Sequence, residues 1–206
     1  MLTNEKIEYN KNRFLSLVNS IKREFNKELL IKQLTLSDFF YAPASTKYHC
    51  AYDGGLCEHS LNVYDNLKSL LALKNLTYDE DSIIIVALFH DFDKMNKYEK
   101  TSKNVKQYRE DGTKQDAMGR FEWVSEIGYK KKDDVFTIGS HGQNSLFMTQ
   151  SFIPLTAEES ASIVCHMGGT VATEATDIST VYSKYPLAIL LHVADMMSTF
   201  IDEERE

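Results

Sequence analysis

The apolar run Ile83-Ile84-Ile85-Val86-Ala87-Leu88-Phe89 ends in the doublet His90-Asp91. An ionised aspartate at the edge of an apolar core needs a compensating partner or a metal. The imidazole beside it is a second potential ligand. Alone, the doublet is also explained by a helix cap and a surface pair. Other residues of the same chemistry accompany it. His59 lies on a helical face with Val63, Leu67 and Leu70. His166 closes the segment 156–167, and Asp195 sits in the apolar stretch LLHVADMM. His141 stands between Gly139 and Gly142, which allow a backbone to approach a site closely. Each has an ordinary explanation by itself: a capped aspartate, a core histidine, a loop histidine. Together they offer His and Asp from several helices and a loop, which is how helical bundles assemble dinuclear metal sites. Mixed imidazole and carboxylate donors suit Mn²⁺, Fe²⁺, Co²⁺ or Zn²⁺, with Mg²⁺ also compatible, better than Ca²⁺.

Helices must bring these residues together. The chain has 206 residues, enough for one domain (1–206) with a sizeable core. Only three prolines and nine glycines occur, which suits a helical fold with few turns. Ile7, Phe14, Leu17, Val18, Ile21 and Phe25 predict one or two amphipathic helices over 4–33. A helix follows over 56–73, and another over 79–92 whose all-round apolar character marks it as central to a bundle. Helical patterning returns at 142–152, at 156–167 and at 186–203. Thr156 and Glu159 form a capping box for the second of these, and Pro186 suits the first turn of the third. The segment 41–55 reads as an irregular connection. Residues 95–141 read as an excursion with weak periodicity, with room for a short β-hairpin. The expected fold is all-α, a bundle with that irregular insert.

The net charge of −7 argues against generic nucleic-acid binding. The stretch 94–132 nevertheless holds eleven Lys/Arg against six Asp/Glu, either a solvated loop or a rim that attracts phosphate. Cys50, Cys57 and Cys165 form no Cys-x-x-Cys pair and read as buried small hydrophobes. The N-terminal MLTNEKIEYNKNRF lacks the apolar run of a signal peptide. No stretch approaches the roughly 20 apolar residues of a membrane span. A cytoplasmic protein without membrane partners is expected.

The order His59, His90-Asp91, His141, His166, Asp195 resembles the HD-domain superfamily of metal-dependent phosphohydrolases. GGLCEHSLNV (54–63) with ALFHDFDK (87–94) is similar to the Gly-Gly-Leu-x-Glu-His and His-Asp-x-x-Lys signatures of its bacterial members, and HVAD (192–195) to their terminal Asp motif. YHCAYDGGLCEHS and FIPLTAEESASIVCHMGG resemble a poorly characterised bacterial and phage subgroup. The resemblance spans about residues 40–203. It implies His59, His90, Asp91 and Asp195 as ligands of one ion. It also implies His141 and His166 as ligands of a second, with Asp91 bridging the two. The chain departs from many members in carrying Asp93, not Gly, before Lys94.

Such a centre would activate water for in-line attack on phosphorus, in a nucleotide, another phosphorylated small molecule or a short nucleic acid. Lys94 is placed to neutralise phosphate charge, Asp91 to bridge, and His49 to give a proton to the leaving group. Glu58 reads as an orienting partner of a ligand histidine or as a surface carboxylate. Tyr48 and Tyr52 are candidates for base stacking or for core packing. Two other functions fit the same residues: an HD-fold mixed-valent di-iron oxygenase and a non-catalytic nucleotide-binding protein.

Overall fold

The computed structural model describes residues 2–135, 137, 139–171 and 177–203. They form a helical bundle with a small β-sheet insert. Helix α1 (Asn4–Ser20) starts where the Thr3 side chain accepts the Lys6 amide. Helix α2 (Lys27–Leu36) starts likewise at Asn26. Helix α3 spans Gly55–Leu73 and α4 Glu80–Phe89. As its apolar circumference predicts, α4 is central: Ile83 through Phe89 are all buried. It packs against α1, α3 and α6 (Ala157–Cys165). Each large side chain so buried contributes about 1.5–3 kcal/mol. Phe14, Phe39, Phe40, Phe89 and Phe92 meet edge to face at one end of this core.

Helix α4 stops at Phe89, three residues earlier than expected, and His90 caps it. Asp91 leaves helical geometry at φ −106°, and a single 3₁₀ turn (Phe92–Lys94) follows. The α-helical period breaks where the two polar side chains turn toward the interior. Helix α5 (His141–Gln150) opens on a capping box formed by Ser140 and Gln143. The box expected at Thr156 and Glu159 opens α6. Buried Glu159 also accepts from Ser82 of α4 and is paired with Arg23, just beyond α1, at 2.6 Å, so it ties three elements together. Helix α7 (Ile178–Lys184) precedes α8 (Pro186–Met197), which begins with proline in its first turn. Beyond α8 the chain continues as a π-helical turn, Ser198–Asp202, where a straight helix was expected.

The insert is more regular than expected. Strands β1 (Tyr98–Tyr108), β2 (Lys114–Asp116) and β3 (Gly119–Lys131) form an antiparallel sheet in the order β1-β3-β2. The β1–β3 register runs unbroken from Tyr98↔Lys131 to Tyr108↔Phe121. The sheet rests on the connection between α2 and α3. Lys103 donates to the Thr46 carbonyl at 2.6 Å, and Lys100 and the Tyr129 hydroxyl both reach Asp53 at 2.6 Å. All three cysteines are buried and free, as expected. Among the described residues, no helix is long and apolar enough to cross a membrane.

Candidate metal centre

Five segments deliver the predicted residues to one place inside the bundle. Helix α3 carries His59 on its inner face. Its N-terminus presses so closely on the preceding connection that a Cβ at Gly55 would overlap the Cys50 carbonyl. His90 and His166 are the C-caps of α4 and α6. At a helix end the last carbonyls lack helical partners. Each ring exploits this, donating from Nδ1 to the carbonyl three residues back: His90 to Ala87 at 2.8 Å and His166 to Ile163 at 2.7 Å. His141 heads α5 instead of lying in a loop, and its Nδ1 pairs with Asp93. His59 Nδ1 donates to Glu203 Oε1 at 2.9 Å. All four Nδ1 atoms thus have protein acceptors, which fixes the rings with Nε2 toward the interior.

The four Nε2 atoms surround Asp91. One carboxylate oxygen, Oδ2, lies 3.5 Å from both His59 Nε2 and His90 Nε2. The other, Oδ1, contacts His141 Nε2 and lies 3.5 Å from His166 Nε2. Asp195 from α8 puts Oδ1 3.2 Å from His59 Nε2 and groups with His90 and His166. His59 and His90 Nε2 approach within 3.2 Å of each other. His59, His90 and His166 are fully buried, and Asp91 is 2% exposed.

Burial and charge oppose one another here. Burial resists protonation of His59, yet Glu203 and Asp195 prevail and push its pKa up to about 10. Burial likewise resists ionisation of Asp91, but Lys94, His90 and His141 hold it well below the usual carboxylate range. His141 is raised against burial by Asp91 and Asp93, while burial lowers His166. Among the described residues, His166 Nε2 is buried without a hydrogen-bond partner. An orphaned imidazole nitrogen, two facing ring nitrogens and two carboxylates among them make a donor set that divalent cations satisfy. The residues present fit such ions, and metal binding would displace protons that the histidines now carry.

The remaining candidates fall unevenly. Lys94 Nζ donates to Asp91 Oδ2 at 2.6 Å and stays protonated: Asp91 raises its pKa despite burial. His49 lies beside His59, ring centroids 4.8 Å apart and tilted by 43°, so it does reach the centre. Burial, His59 and Lys94 lower its pKa to about 4. Glu58 accepts from Tyr52 at 2.8 Å, and Tyr48 is 71% exposed. The basic insert carries less free charge than its count suggests. Lys97 pairs with Asp93, Lys100 with Asp53, Lys106 with Asp116, Arg109 with Asp111, and Lys130 with Glu99.

Two residues at the centre escaped sequence reasoning. Glu203 lies in a charged tail, where a carboxylate reads as solvated. Asp93 registered only as a departure from a family pattern, yet it orients His141. Set against protein-family models, curated proteins and solved structures, the chain has no match.

Proposed function

We propose that the protein is a metal-dependent phosphohydrolase or phosphodiesterase of the HD type, acting on a nucleotide or short oligonucleotide. The observation that carries the reading is the division of the Asp91 carboxylate. Its Oδ2 faces His59 and His90, and its Oδ1 faces His141 and His166. A carboxylate so divided suits a bridge between two ions. His59, His90 and Asp195 would complete one position, His141 and His166 the other. When bound, divalent ions at these positions would polarise the phosphoryl oxygens and make water acidic enough to act as a nucleophile near neutral pH.

The protein's own groups have distinct tasks in this reading. Asp93, Glu203 and two backbone carbonyls hold the imidazoles in place. Lys94 keeps a fixed positive charge beside Asp91; a protonated amine has no lone pair for a metal and serves to attract phosphate oxygens. His49, beside His59, is the candidate for proton transfer to the leaving group. The test is metal analysis of protein purified without added metal, followed by a phosphate-release screen across nucleotide classes with Mn²⁺. Release by the wild type, with neither metal nor release in Asp91→Ala, supports the proposal. Metal-loaded wild type that releases no phosphate, but consumes O₂ with iron bound, would transfer the centre to oxygenase chemistry.

A further inference from the structure

The two halves of the centre differ in charge and in the groups behind them. The His59 and His90 half has two carboxylates within reach, Asp91 and Asp195, and has Glu203 behind His59. Glu203 is 8% exposed, and its Oε1 accepts from His59 Nδ1 at 2.9 Å and from Asn62 Nδ2 at 3.1 Å. Among the described residues its hydrogen-bond donors are His59 and Asn62. In the His141 and His166 half, Asp91 is the one carboxylate that groups with both rings, while Asp195 groups with His166 and His90. The group behind His141, Asp93, is already paired with Lys97, and the group behind His166 is a neutral carbonyl.

A carboxylate behind an imidazole raises its basicity as a ligand and fixes its orientation; a neutral carbonyl does the second with less of the first. We infer that the two positions are inequivalent: the ion at His59, His90 and Asp195 binds first and more tightly, and Glu203 is the positioning residue that sets this difference. The π-helical turn Ser198–Asp202 is what delivers Glu203. It is anchored to α3, where Asn66 donates to the Ser198 hydroxyl at 2.9 Å and to Asp202 at 2.6 Å. π-helical turns are rare and occur often at functional sites. A helix continued without this widening would aim residue 203 elsewhere. The C-terminal turn thereby completes a metal position whose first ligand lies 144 residues earlier.

The inference rests on the assignment of these residues as metal ligands, so its test must separate the two. Metal-free full-length protein is titrated with Mn²⁺ alone, followed by calorimetry and by the electron-spin signal of free Mn²⁺. Two resolved steps are expected. Glu203→Ala should weaken the tight step by about 10–100-fold and leave the weak step unchanged. Glu203→Gln, which keeps an acceptor for His59 Nδ1 but loses the charge, should fall between Ala and wild type. His141→Ala should remove the weak step alone. Equal weakening of both steps by Glu203→Ala, with a lowered melting temperature, would make Glu203 a fold residue and overturn the inference. An unchanged tight step would overturn it too. Loss of neither step in His59→Ala and His141→Ala would instead refute the ligand assignment itself.

Discussion

Asp91 and Lys94 form a buried pair whose separation should be costly and whose joint removal should be tolerated better. Their side chains are 3% and 12% exposed, and the N···O distance is 2.6 Å. Replacing Asp91 by Asn keeps the shape but leaves the Lys94 ammonium buried without a counter-charge. Removing one partner of a buried pair costs about 3–5 kcal/mol. For a chain of this size each kcal/mol lowers the melting temperature by roughly 2–4 °C. Asp91→Asn should therefore melt about 6–20 °C below the wild type in EDTA. Lys94→Met should cost less, since His90 and His141 remain beside the carboxylate. The double variant should recover on the order of 2 kcal/mol relative to the sum of the singles. Recovery stays partial because His59 and His141 also lose a partner. The assay is thermal unfolding of metal-free protein for all four species. Additivity within about 0.5 kcal/mol would refute the claim that the two charges are coupled.

Other outcomes follow from the same geometry. In metal-free protein the His59 pKa, about 10, lies above its ordinary 6.5. Its protonated form thus stabilises the metal-free fold fully below pH 6.5, and that contribution should disappear as pH rises through about 10. A metal ligand at His59 must shed that proton, so Mn²⁺ affinity should rise with pH over the same interval. Calorimetry in buffers of different ionisation enthalpy should register proton release, and zero release would contradict the assignment. Metal-loaded Lys94→Ala should retain its ions while phosphate release falls roughly 10²–10³-fold, the usual loss for one charge-stabilising donor; wild-type turnover would remove Lys94 from the reaction. Arg23→Ala strands the buried Glu159 carboxylate and should cost about 3 kcal/mol in denaturant unfolding. A loss below about 1 kcal/mol would mean that Ser82 and the Thr156 amide suffice for Glu159.

The cluster of His and Asp residues was legible in part because its members interrupt apolar patterns. A histidine and an aspartate closing a helix that buries Ile83 through Phe89 also read as a cap and a surface pair, and it is the company of His59, His166 and Asp195, which likewise break apolar segments, that sets them apart. His141 appeared to lie in a loop because its neighbours are glycines. The Ser140 and Gln143 box that starts α5 was present in the sequence, but weak flanking periodicity hid it. The sheet was hard to see for a related reason. Both faces of β1 and β3 carry polar residues along most of their length, so the alternation that marks a half-buried strand is faint. Glu203 illustrates the firmest limit. Its meaning depends on a π-helical widening and on a partner far away in the chain, and local composition around it signals only a solvated end.

The lysines of β1 have a consequence unrelated to phosphate. β1 is a border strand of the sheet, with β3 on one side and no strand on the other among the described residues. On that open side its eleven residues carry backbone donors and acceptors that no strand takes up among the described residues, a template on which another extended chain could add. Lys100, Lys103 and Lys106 recur along it at three-residue intervals, engaged with Asp53, the Thr46 carbonyl and Asp116, and lysines on an edge strand discourage such addition because an incoming strand would have to displace or bury them. Charge in the insert would then govern solubility at high concentration. Replacing these lysines with threonine, which favours strands and carries no charge, should loosen the sheet from the α2–α3 connection that Lys100 and Lys103 hold and promote self-association along the β1 edge.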